Sequence, residues 1–486
     1  MGSQLGLGGY VAIAAVIWIV QTLYKGLTSP LRRVPGPFFS NFTRLPLKLA
    51  TIGGRQLYFI HELHQRYGPV VRISPTEVSV ASLDGFKEIH RVGKGFPKGE
   101  WYQKLSQNRA GVFHMRDSKA HAYRRKLFAR AFSKSEIRSL WEPVIREKAQ
   151  LTVSQIQAEL KATGVCDVLK WATFFSTDVS GHLMFGESFE MLRLGKKTEY
   201  IRILESALKG AGIAVELPFL RAIAPYVPIK AFRGLFIPGA SIAEYSQRAV
   251  TNGRKNSDSC RNIFSGLIAE SEKGQSAITD ADVAFEAGNL IIAGSDTTAV
   301  TLTYLIWAVL SRPALRSQLE TELAGVNENY VEADLESLPL LNAVILETLR
   351  LYGAAPGALP RTVPAGGVTL SSHYLPSGTT VSTQNWTMHR DEKFFSDPES
   401  FDPSRWLPGD NEVSELAREA FAPFGAGARI CLGIHIAWME LRLAVTEFFR
   451  RCENVQLAPS TTEESMKPVH YFLIAPSAHQ CEVVLK

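Results

Sequence analysis

The stretch that most restricts this chain is Phe421 to Gly433, FAPFGAGARICLG. Gly425, Gly427 and Gly433 lack a Cβ, so the segment can form a tight loop and its backbone can pass close to a flat ligand. The loop delivers one thiol, Cys431, just ahead of a helical run that starts near Gly433. Backbone N–H groups and the dipole of a helix N-terminus favour a thiolate there, which makes Cys431 a ligand for a soft metal.

A second constraint is Thr279 to Ser311, a long helical pattern opened by Thr-x-x-Asp, in the manner of a capping box, and stopped before Pro313. Its centre, LIIAGSDTTAV, sets Asp296 and Thr297 in an otherwise apolar run. Burying an unpaired carboxylate costs several kcal/mol, so Asp296 needs a partner or a chemical task. The run is long enough to raise the question of a membrane span, but the central acid and the cap argue against it.

Leu5 to Leu23 carries no charged residue and has about the twenty residues a bilayer requires. A cleaved signal peptide would have a basic leader and a shorter apolar core, and Met1 to Gly9 has no basic side chain. Residues 1–27 therefore read as a membrane anchor. Lys25, Arg32 and Arg33 follow it, which places the rest of the chain on the cytosolic side. Residues 28–40, with Pro30, Pro35 and Pro37, cannot continue a helix and form a hinge.

Within residues 41–486 there is no spacer, low-complexity tract or repeat, so one large domain is expected. Gly68 to Ser82 alternates apolar and polar residues around Pro75 as a short hairpin. Strand signals return at Val368 to Ser382 and at the C-terminal end. The fold class is mainly α with small β-sheets. The net charge of +6 is scattered rather than clustered, which does not argue for nucleic acid, and no nucleic-acid partner is expected. A basic face suits an acidic redox partner or anionic lipid, or is simply a solvated surface, and charge alone does not choose. Five cysteines, Cys166, Cys260, Cys431, Cys452 and Cys481, with no C-x-x-C pair, fit a reducing compartment.

The spacing of Phe424, Gly427, Arg429, Cys431 and Gly433 resembles the haem-binding signature of the cytochrome P-450 monooxygenases. The resemblance implies that Cys431 is the axial thiolate of haem b iron, with Phe424 beside it. Ala293 to Thr298, AGSDTT, resembles the family's oxygen-activation motif. It implies that Gly294 lets the helix pass close to haem, Thr297 hydrogen-bonds dioxygen, and Asp296 helps relay protons. Glu347-Thr-Leu-Arg350 with Arg405 of FDPSRW is similar to the family's structural Glu–Arg–Arg triad, with Trp406 where phenylalanine is frequent. His121 and Arg125 lie four apart on one helix face. They resemble the pair that holds a haem propionate, with histidine in place of tryptophan. Arg361 and Arg429 match positions whose guanidinium groups bind propionates.

In the family, the region Gly95 to His114 forms part of the substrate pocket; it reads equally as a surface loop packed by Trp101 and Tyr102. Ala222 to Ala240, broken by Pro225, Pro228 and Pro238, matches a lid over the substrate channel, or is a buried connection.

Together these motifs imply a single-pass protein of the endoplasmic reticulum membrane with its catalytic domain in the cytosol. It would hydroxylate an apolar small molecule with dioxygen and with electrons from NADPH. No flavin domain follows Lys486, so the electrons are expected from a separate cytochrome P-450 reductase. The VPGPF hinge, the HAYRRK helix and FDPSRWLPG resemble fungal microsomal members, many of which act in secondary metabolism. Epoxidation, desaturation or oxidative coupling on the same fold is the alternative. A non-catalytic haem-binding or scaffold protein is the remoter one, and it would have no use for Thr297 and Asp296.

Overall fold

The computed structural model describes residues 7–93, 95–106, 109–236, 247, 250–255, 262–265, 267–268, 278–409 and 411–486. Their contacts group into two compact units, Met1–Gly99 with Gly357–Met388, and Glu100–Pro356 with His389–Lys486.

In the first unit the apolar run forms the helix Leu7–Thr28, exposed along nearly all its length. It is long and apolar enough to cross a membrane. Its last turn is fixed by close packing, because a Cβ at Gly26 would lie 2.4 Å from the Phe42 ring. The prolines then break the chain into two 3₁₀ turns, Pro30–Arg33 and Phe38–Asn41. Buried Arg72 ties these turns to the sheet, donating to the carbonyls of Leu31 and Pro37 at 2.9 and 3.3 Å and to the Ser40 hydroxyl at 3.0 Å. The expected hairpin is present as Val70–Ser74 and Glu77–Val80, paired antiparallel. Glu77–Val80 runs parallel to Thr380–Thr383, and Arg361–Thr362 closes the four-stranded sheet. Val78, Val80 and Val381 of this sheet are fully buried and share a core with Leu375 of the separate strand His373–Leu375.

The second unit is mostly helix. The central helix, Asp280–Leu310, carries the expected capping box, with Thr279 and Asp282 bonded reciprocally. It is the other helix apolar enough to span a bilayer, but two thirds of its most apolar window is buried inside the protein. Val168–Phe185, Lys134–Thr163 and Ile434–Arg451 supply the helical surroundings. Short β pieces complete the unit. Glu482–Leu485 pairs antiparallel with Val165–Asp167 and Val455–Leu457, and Pro468–His470 pairs with Ile474–Pro476.

Prolines also break Ala222 to Ala240, into the turn Ala224–Tyr226 and the helix Lys230–Phe236, with Phe219 and Tyr226 exposed; residues 237–240 lie outside the described residues. Cys166, Cys431, Cys452 and Cys481 are free thiols, and Cys260 lies outside the described residues.

Candidate functional site

The thiol loop folds as its glycines require. Gly425 and Gly427 take φ of 71° and 65°, in the left-handed region that other residues adopt only with strain. Gly427–Arg429 is a 3₁₀ turn, and the Cys431 N–H donates to the Phe424 carbonyl at 2.8 Å. The helix starts at Ile434. Cys431 is exposed, although the protein mass around it is dense enough to raise its pKa by desolvation. An accessible sulfur within dense protein sits in a recess. The Gly433 N–H and the Arg125 charge pull the pKa back without reversing the shift. The helix terminus thus acts in the expected direction and desolvation outweighs it; a bound cation deprotonates a coordinating thiol outright.

Behind the loop sits the expected triad. Glu347 is fully buried and accepts five hydrogen bonds. Arg350 Nη2, Arg405 Nε and the Asp402 N–H donate to Oε1 at 2.8, 3.0 and 2.9 Å. Arg350 Nε and Trp406 Nε1 donate to Oε2 at 2.9 and 2.8 Å. The tryptophan that departs from the family pattern thus adds a donor that phenylalanine lacks. Arg350 also donates to the carbonyls of His389, Pro398 and Ser400. His389, absent from the sequence reading, carries the support to the thiol loop. Its Nδ1 lies 3.0 Å from the Arg350 carbonyl and its Nε2 accepts from the Ala422 N–H at 3.1 Å. These partners assign the proton to Nδ1. Burial lowers the His389 pKa to about 3, so the ring stays neutral.

One of the predicted arginines meets the loop and another reaches out from it. Arg125 donates to the Ile430 carbonyl at 2.7 Å, one residue before the thiol. Arg429 donates to the carbonyls of Met115 and Arg116 at 2.8 and 3.3 Å. His121 is buried one turn before Arg125 on the helix Ser118–Phe128. Arg361 lies in the first unit, buried in its short strand against Val381, with Lys98 across a β-bridge.

The central helix exposes a stripe at its middle. Ala293 is exposed, and Phe285, Asn289, Ile292, Asp296 and Thr297 are half-buried around it. The Thr297 hydroxyl donates to the Ala293 carbonyl at 2.6 Å. Desolvation raises the Asp296 pKa to about 6, with Glu205 adding to the rise and Lys197 and Lys209 opposing it. Gly294 is half-buried, and a Cβ there would lie 2.4 Å from the Ser180 hydroxyl, so the glycine allows the close crossing with Val168–Phe185. In the same crossing the Ser176 hydroxyl donates to the Ser295 carbonyl at 2.6 Å.

On the buried side, Glu440 of Ile434–Arg451 faces this helix. Among the described residues its oxygens have no partner of good hydrogen-bond geometry, though the Thr298 hydroxyl approaches. Burial raises its pKa to about 8. Glu440, like Asp296, is a lone acid in an apolar helical run, and is legible in the sequence on that ground.

The region Gly95 to His114 contributes an aromatic cluster in this unit; residues 94, 107 and 108 lie outside the described residues. Tyr102 and Phe472 lie 5.3 and 6.0 Å from Phe113, ring centre to ring centre. Trp101 meets Phe472 at 5.4 Å, and His114 meets Phe285 of the central helix at 5.8 Å.

Among the described residues, no three His, Cys, Asp or Glu side chains converge as a metal site. A metal at Cys431 must therefore bring its remaining ligands with it, as the iron of a porphyrin does. The accessible thiol, its glycine loop and the flanking cations Arg125 and Arg429 fit haem and its carboxylates.

Comparison with known proteins agrees. The cytochrome P-450 family profile matches residues 33–483. The chain is 40% identical to the cytochrome P-450 monooxygenase aflV of Aspergillus parasiticus, over 99% of this chain and 96% of that protein. It is 39% identical to the monooxygenase tazI of Aspergillus terreus, over 97% of each. It is 38% identical to the monooxygenase stcB of Emericella nidulans, over 96% of this chain and 91% of that protein.

Proposed function

The chain belongs to the cytochrome P-450 family and is a monooxygenase, and from that premise we propose that it hydroxylates an apolar small molecule of fungal secondary metabolism. The observation that carries this is the exposed Cys431 thiol, held on its glycine loop and backed by the buried Glu347 cluster. Haem, when bound, supplies the iron that activates dioxygen, with Cys431 as its protein ligand. Arg125 and Arg429 hold its propionates, with His121 as a further candidate. The Cys431 N–H bond to Phe424 fixes the direction of the sulfur, and the triad keeps the loop from relaxing. The Thr297 hydroxyl, on the exposed stripe, is the proton donor at the reacting oxygen once its O–H turns from the Ala293 carbonyl. Asp296, with a pKa of about 6, changes protonation state near neutrality and resupplies it.

Electrons come from NADPH through a separate reductase that docks by charge. The exposed helix Leu7–Thr28 anchors the protein in the endoplasmic reticulum membrane with the catalytic part in the cytosol, and Lys25, Arg32 and Arg33 support that orientation. Turnover with purified reductase, NADPH and isotopically labelled dioxygen tests the reading. One labelled oxygen in the product supports hydroxylation. A product that has lost hydrogen without gaining oxygen favours desaturation or coupling.

A further inference from the structure

The loop between the helices Glu100–Leu105 and Ser118–Phe128 is pinned at two points by long-range bonds. At one point the Val112 N–H donates to Glu286 Oε1 at 2.7 Å. Glu286 is fully buried on the central helix and also accepts from Arg124 at 3.2 Å. At the other point Arg429, two residues before Cys431, holds the carbonyls of Met115 and Arg116. Phe113 and His114 lie between the pins, so the pins set where their rings stand against Phe285 and Phe472. Gly111 closes the contact with the helix. A Cβ there would lie 2.9 Å from Asn289 Nδ2 and 3.0 Å from the Phe285 ring.

The closed loop also carries a cost. Glu286 Oε2 and Asn289 Nδ2 are buried beneath it with no partner among the described residues. A buried donor or acceptor without a partner loses its hydration uncompensated. Lifting the loop would let water reach both atoms, so Glu286 holds the loop shut and, together with Asn289, loads it toward opening.

We propose that Glu286 is a positioning residue: it latches residues 109–116 to the central helix through Val112, and so sets the aromatic wall of the substrate recess, while the orphaned atoms beneath Gly111 keep the latch releasable. This rests on the monooxygenase reading only in naming the recess as the substrate's. Charged groups facing Glu286 are Arg124 from Ser118–Phe128 and Asp282 from the central helix itself.

Hydrogen–deuterium exchange of the full chain in lipid nanodiscs, read on residues 111–115, tests the latch. Glu286→Ala should speed exchange ~10- to 100-fold, the range expected for losing a hydrogen bond to a charged group. Glu286→Gln keeps an oxygen for Val112 and should stay within about fivefold of wild type. Asn289→Leu removes one orphaned atom and should slow exchange, the opposite of what a packing residue would show. Unchanged exchange in Glu286→Ala, or faster exchange in Asn289→Leu, overturns the proposal. A carbon monoxide spectrum on the same samples separates the two readings: lack of a thiolate-haem band in wild type sinks the monooxygenase reading, while exchange alone decides the latch.

Discussion

Replacing Glu347 by glutamine tests the support of the thiol loop. The carboxylate neutralises one of two buried guanidinium groups and accepts five donors within 3.0 Å. Glutamine keeps one acceptor oxygen but turns an amide NH₂ toward donors, either Arg350 Nε with Trp406 Nε1 or the Oε1 set. The cluster then holds two buried positive charges with no counter-charge. Breaking a buried pair from one side costs about 3–5 kcal/mol, a large share of the roughly 5–15 kcal/mol that holds a protein folded. Urea unfolding followed by tryptophan fluorescence measures the loss. A second substitution, Arg405→Met, removes one stranded charge, so the double variant should lose less than the sum of the single losses, by ~1–3 kcal/mol. A loss below about 1 kcal/mol for Glu347→Gln, or strict additivity in the double variant, would refute the reasoning.

Three further outcomes are expected. Thr297→Ala should divert reducing equivalents to peroxide while haem content stays normal, measured as peroxide formed per NADPH consumed; unchanged coupling removes the proton-donor role. Glu440 has a folded pKa of about 8 against an ordinary 4.5, so its contribution to stability is complete below pH ~4.5 and is lost as pH rises through about 8. Glu440→Gln should therefore flatten the fall in stability across that window by up to ~1.4 kcal/mol per pH unit relative to wild type, and parallel curves would refute the assignment. Deleting Met1 to Gly26 should leave haem-loaded protein that pellets less with membranes; undiminished pelleting would move the membrane contact to the exposed apolar residues around Phe219 and Tyr226.

What the sequence made legible was local. The glycine loop, the Thr-x-x-Asp cap, the hairpin around Pro75 and the Glu347 to Arg350 spacing are each written within a few residues, and each formed. What it hid depends on distant segments meeting. Nothing near His389 announces that its ring joins the Arg350 carbonyl to the Ala422 N–H. Trp406 looked like a weaker match until its indole reached Glu347. The part Gly294 plays in a helix crossing was hidden as well, because sequence cannot show Ser180 meeting it there. The helix terminus beside Cys431 can be seen in sequence, whereas the desolvation that outweighs it cannot.

The most direct measurement is the visible spectrum of the reduced, carbon monoxide-treated protein, recorded for wild type and Cys431→Ser. Thiolate-ligated haem predicts a red-shifted Soret band in wild type that is lost in the variant. A wild-type protein without haem, or a variant that keeps the same band, would show that Cys431 is not the ligand and contradict the account.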